Sequence, residues 1–157
     1  MENRSPGHRT ITAPEPIDVG VGEISWFLGG GITGCPDWQS IMIANIADLN
    51  VVLLNPRRPN FDISDKSISD VQVEWEHKGL TLATGRLFWF PRESICPITL
   101  FELGAWAYQK SRPLVVGAHP EYPRLWDIKK QLSLTRPELE VVDSLEALAK
   151  QVRTAKS

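Results

Sequence analysis

Glu102 is the one charged side chain in the run from Ser94 to Tyr108, and it stands between Phe101 and Leu103. A carboxylate among apolar neighbours is better suited to attacking an electrophilic carbon than to solvating a helix face. Pro97 fits a first helical turn, which puts Glu102 on the early turns of a helix whose positive end is expected to keep it ionised. Upstream, Gly29, Gly31 and Gly34 give the spacing G-x-G-x-x-G directly after an apolar segment. Such a loop lets backbone approach a ligand, here at Gly30 and Gly31. Arg57 and Arg58 follow the next apolar segment, where a 2′-phosphate could be held, so a nicotinamide dinucleotide is one reading. Cys35 and Pro36 speak against it, because they move the helix start to Pro36 or Asp37, whereas the third glycine of a dinucleotide fingerprint lies inside the helix. Asp37, Trp38 and Gln39 open that helix, with an indole able to stack on a flat ring and an amide able to read its edge, or with Trp38 as ordinary core. Asn55, Arg57 and Arg58 either hold the neighbouring loop or accept a phosphate.

The elements that must position these residues alternate along the chain. Apolar segments at Ile24–Leu28, Val51–Leu54, Leu87–Phe90, Leu114–Val116 and Val141–Val142 read as strands, and helical spacing of apolar residues separates them. Helices are expected from Pro36 or Asp37 to about Leu49, from about Ile68 to Leu82, from Pro97 past Ala107, from Pro123 to Leu132, and after a capping box of Asp143 and Glu146. Strands without polar alternation are expected where both sheet faces are covered. The expected fold is therefore α/β, a doubly wound five-stranded parallel sheet in the flavodoxin-like order 2-1-3-4-5 with helices on both faces. In such folds ligands bind beyond the carboxyl ends of the strands, where the order reverses. Residues 1–22, rich in Pro, Gly and Thr, read as a mobile or surface-draped extension, and residues 23–157 as a single domain.

The totals narrow the classes further. A chain of 157 residues with 42% hydrophobic content can bury one core without metal or disulfide staples. Seventeen basic and nineteen acidic residues nearly cancel and do not cluster, so nucleic acid is not an expected partner. Cys35 and Cys96 lack metal-ligand spacing, and three scattered histidines suggest no metal site. No apolar run reads as a secretory signal or approaches membrane-spanning length, so a soluble, cytoplasmic protein with no membrane partner is expected.

Five ordered stretches, FLGGGITGCPDWQ, LNPRRPNFD, QVEWEHKGLTLATGRLFWFP, ICPITLFELGAW and VVGAHPEYPRLWDI, resemble the nucleoside 2-deoxyribosyltransferase family, specifically its short tryptophan-rich branch. The resemblance spans about Trp26 to Ile128. It implies a cofactor-free retaining double displacement on a (deoxy)ribonucleoside: a carboxylate attacks the anomeric carbon, the base departs, and a second base or water releases the sugar. Partners would be a nucleoside and a free nucleobase, and the protein would be a homo-oligomer, a dimer or a multiple of dimers. Glu102 matches the family nucleophile. The departing base needs a proton, for which Glu76 is the candidate acid, with Glu74 as rival and His77 behind it. Cys96 stands where many members carry an acidic residue that contacts substrate, and Asp62 or Glu93 are possible substitutes. His119 matches a residue near the sugar hydroxyls. Hydrolysis of a nucleoside or nucleotide, and a noncatalytic nucleotide-sensing module, are the competing functions.

Overall fold

The computed structural model describes residues 8–59 and 64–155. Among these residues six strands and five helices follow one another, alternating from β2 onward: β1 (Arg9–Thr12), β2 (Ser25–Gly30), α1 (Trp38–Asn45), β3 (Val52–Asn55), α2 (Lys66–Leu82), β4 (Gly85–Phe90), α3 (Pro97–Ala107), β5 (Leu114–Ala118), α4 (Leu125–Thr135), β6 (Val141–Val142) and α5 (Leu145–Thr154). The strands form one parallel sheet in the order β1-β3-β2-β4-β5-β6. The expectation of five strands in the order 2-1-3-4-5 is thus corrected by a sixth strand at the edge.

That strand lies inside the stretch expected to drape over the surface. Its sequence Arg-Thr-Ile-Thr buries only Ile11, at 5% exposure, while Arg9–Thr12 pair in register with Val52–Asn55. An edge strand has one neighbour and a partly open face, so main-chain pairing holds it with little apolar content. No hydrophobic run announces such a strand.

Side-chain alternation sorts the remaining strands into two faces. Phe27, Leu54, Phe88, Phe90 and Val116 point into one cluster with Trp75 and Leu80 of α2, Leu103 of α3, and Ile128 and Leu132 of α4. Trp26, Leu28, Leu53, Leu87 and Val115 point the other way, against Trp38 and Met42 of α1 and Leu148 and Val152 of α5. Both faces being covered explains the continuous apolar strands. Asp37 caps α1, its carboxylate accepting the Ser40 N–H at 3.2 Å, and Asp65 caps α2. The final helix is capped by Ser144, which accepts the Ala147 N–H at 3.1 Å, rather than by the expected Asp143 box. No helix among the described residues is long and apolar enough to cross a membrane.

The chain leaves β2 toward β3 on one side and reaches β4 on the other, so the order reverses at the carboxyl ends of β2 and β4. A crevice is required there, because the connections depart in opposite directions.

Candidate active site

The glycine loop closes one wall of that crevice by contact rather than by flexibility. A side chain on Gly30 would strike the Trp38 indole and the Trp89 carbonyl, and a Cβ on Gly31 would lie 2.8 Å from each of Cys35 Sγ, Cys96 Sγ and Pro91 Cγ. Gly34 stands in a turn at φ +72°, ahead of α1. The third glycine therefore does not pack a helix on a strand, as the dinucleotide reading requires.

Arg57 holds the loop. Its Nη2 donates to the carbonyls of Ile32 (3.3 Å), Cys35 (3.1 Å) and Pro36 (2.8 Å), and its Nε donates to Gln39 Oε1 at 2.8 Å. Asn55 Oδ1 accepts the Arg57 N–H at 3.0 Å, and the Asp37 carboxylate lies 3.5 Å from Arg57 Nε. Trp38, 2% exposed, donates Nε1–H to the Gly31 carbonyl at 3.0 Å. Hydrogen bonds from a charged donor contribute about 1.5–3 kcal/mol each. Arg57→Leu is accordingly expected to speed amide exchange across residues 31–36 by more than about tenfold while sheet amides stay protected. Hydrogen-exchange mass spectrometry measures this, and unchanged loop protection would refute the stapling role.

Behind the loop lies a cavity of about 410 Å³, within the range of small-molecule sites. Gly30, Gly31, Ile32 and Thr33 form one wall, Pro56 and Arg58 the side toward β3, and Ser94, Cys96, Pro97, Ile98, Thr99 and Glu102 the side toward α3. Ser69, Gln72, Val73 and Glu76 of α2 complete it, at the i, i+3, i+4, i+7 spacing of a single helical face. Two carboxylates from successive helices thus enter one cavity. The Gln72 amide nitrogen donates to the Pro56 carbonyl at 2.7 Å and to Glu76 Oε1 at 2.8 Å. Both partners accept, which fixes the amide orientation.

Burial pushes the Glu102 carboxyl up to about 8, and the nearby Glu76 charge adds to the rise. Burial raises Glu76 as well, opposed by the hydrogen bond from Gln72. Gln72 thus offsets part of the rise at Glu76, while desolvation favours the neutral acid at Glu102. The direction of this shift runs against the expectation that the helix dipole keeps Glu102 ionised. Glu102 lies in the second turn of α3, beyond the first turn where the dipole acts, and desolvation dominates.

The other sequence candidates divide between wall, support and surface. Gly30, Gly31 and Cys96 line the cavity, whereas Asp37, Trp38 and Asn55 do not: they brace the loop through the bonds above, because a buried indole and a capping carboxylate are already committed. His119 does not line it either, and its Nδ1 accepts the Glu121 N–H at 3.0 Å. Glu74, His77 and Glu93 are exposed, while Asp62 lies outside the described residues. Sequence reasoning missed Ser69, Gln72, Thr33, Ser94 and Thr99. The polar stripe leading to Glu76 on α2 was a readable signal for the first two. Among the described residues no group of three His, Cys, Asp or Glu side chains converges as a metal site.

A family model described as nucleoside 2-deoxyribosyltransferase like matches residues 23–122. The chain belongs to this family. The match takes in every residue that lines the cavity, from Gly30 to Glu102. No curated protein matches the chain.

Proposed function

We propose that this protein is a nucleoside 2-deoxyribosyltransferase that exchanges the base of a (deoxy)ribonucleoside, with Glu102 as nucleophile and Glu76 as the acid and base serving the nucleobase. The observation that carries this reading is the pair of half-buried carboxylates facing one cavity on successive helices, each raised by desolvation. Two such groups whose surroundings push them apart are the usual arrangement for divided nucleophile and acid roles.

One proton suffices for the cycle. As substrate binds, the proton passes from Glu102 to Glu76, where the leaving base can receive it. A Glu102 oxygen then bonds to C1′ while the C1′–N bond breaks, and the base departs carrying the proton. An incoming base returns a proton from its ring nitrogen to Glu76 as that nitrogen bonds to C1′, and Glu102 is released. Water following the same path would give free sugar. Two inversions at C1′ retain its configuration.

Time-resolved chromatography of one nucleoside with a second free base tests the reading. Appearance of the exchanged nucleoside is the expected outcome. Free sugar alone would replace transfer by hydrolysis, and unchanged substrate across purine and pyrimidine nucleosides would leave only a binding module.

A further inference from the structure

Cys35 ends the glycine loop, and Cys96 is the N-cap of α3. Each sulfur lies 2.8 Å from the point that a Cβ on Gly31 would occupy, so the two Sγ atoms are separated by at most about twice that distance. Each thiol perturbs the ionisation of the other, as close neighbours do. Their segments are far apart in sequence and meet only here, because Gly31 has no side chain to hold them apart. Cys96 is anchored: its N–H donates to Ser94 Oγ at 3.0 Å, and its backbone takes a left-handed φ of 53°, the one non-glycine residue with positive φ among those described. A left-handed non-glycine residue persists only where its surroundings hold it, and such positions cluster at sites that do chemistry. Cys96 is 5% exposed, whereas Cys35 is partly open to solvent.

We propose that Cys35 and Cys96 form a covalent modification site for low-molecular-weight disulfides, which close an intramolecular bridge across the cavity wall. Bridging requires a sulfur separation of about 2.05 Å, so the loop must draw toward the start of α3. The Cys35 thiolate attacks one sulfur of the reagent disulfide and expels the first thiolate, giving a mixed disulfide. The Cys96 thiolate then attacks the Cys35 sulfur and expels the second. Two protein thiols are oxidised, one reagent disulfide is reduced to two thiols, and the protons lost by the cysteines end on those thiols. Burial pushes Cys96 up to about 11 and raises Cys35, with the Glu93 charge adding to both. The exchange is therefore slow near neutrality and begins at the more exposed Cys35.

The test treats the native protein with dithiodipyridine at pH 8. Expected are two released pyridinethiones per chain, no retained adduct, and a peptide linking Cys35 to Cys96 that dithiothreitol separates. In Cys35→Ser the link cannot form, and Cys96 is expected to react at least about tenfold more slowly than Cys35 does in the parent. Two retained adducts, links between chains, or reaction only after denaturation would overturn the site. These readouts do not depend on what the cavity binds. The effect on turnover does rest on the nucleoside reading: the bridged protein is expected to lose up to about 100-fold in kcat/KM, restored on reduction. A quantitatively bridged protein with unchanged turnover would overturn the coupling to the cavity.

Discussion

Glu102→Gln is expected to abolish the glycosyl-enzyme and lower base exchange by more than about 10⁴-fold, beyond what loss of general acid catalysis alone produces. Amide and carboxylic acid have nearly the same shape, so the cavity survives while the attacking oxygen is lost. Mass spectrometry of quenched enzyme with a 2-fluoro-substituted nucleoside measures the adduct directly: a sugar on another residue, or full activity in the variant, would end the assignment. Thermal stability should move the opposite way. The Glu102 carboxyl is raised in the folded protein from an ordinary 4.5 to about 8, so the folded state holds this proton more tightly than the unfolded chain does. Stability from that proton is complete below about 4.5 and is lost as pH rises through about 8. Glutamine never ionises. The variant and parent should therefore melt together near pH 4 and diverge toward pH 9, where each kcal/mol gained by the variant raises the midpoint by roughly 2–4 °C. A constant offset across that range would mean that Glu102 is not desolvated in the folded protein.

Glu76→Gln is expected to cost about 10²- to 10⁴-fold on ordinary bases and far less on a nucleoside whose leaving group needs no proton. The pH profile carries the sharper distinction. With both carboxylates present, the active form holds one proton, so kcat/KM should be bell-shaped. Activity falls on the acid side as both groups protonate, and on the alkaline side near about 8 as the pair loses its last proton. Removing Glu76 leaves one titrating carboxyl in the pair and removes the charge that repels it, so Glu102 should ionise at lower pH. With the activated leaving group the bell then becomes a single rise whose midpoint lies below 8. Arg58, Gln72 and Cys96 line the same cavity as the pair. A variant that keeps the alkaline limb would place the proton on some other group.

The alternation of strands and helices and the prominence of Glu102 were legible in the sequence, whereas Glu76 was one of three candidates until α2 carried it to the cavity. The first two follow from short-range rules: apolar runs such as Trp26–Leu28 and Leu87–Phe90 have to be covered on both faces, Pro36 with Asp37 and Pro97 start helices, and a lone Glu in an apolar run is conspicuous. β1 was not legible, because an edge strand is held by main-chain pairing to β3 rather than by side chains. Nor was the division of labour among polar residues at the strand ends. Asp37, Trp38 and Asn55 have the right types for ligand contacts, yet each is spent on bracing the loop. The surroundings of the carboxylates were not legible, since burial raises Glu102 and the Glu76 charge from a separate helix adds to the rise. Chain-local pattern specifies which groups are available, whereas desolvation and charge coupling act through space, between residues that become neighbours only when the sheet reverses its order.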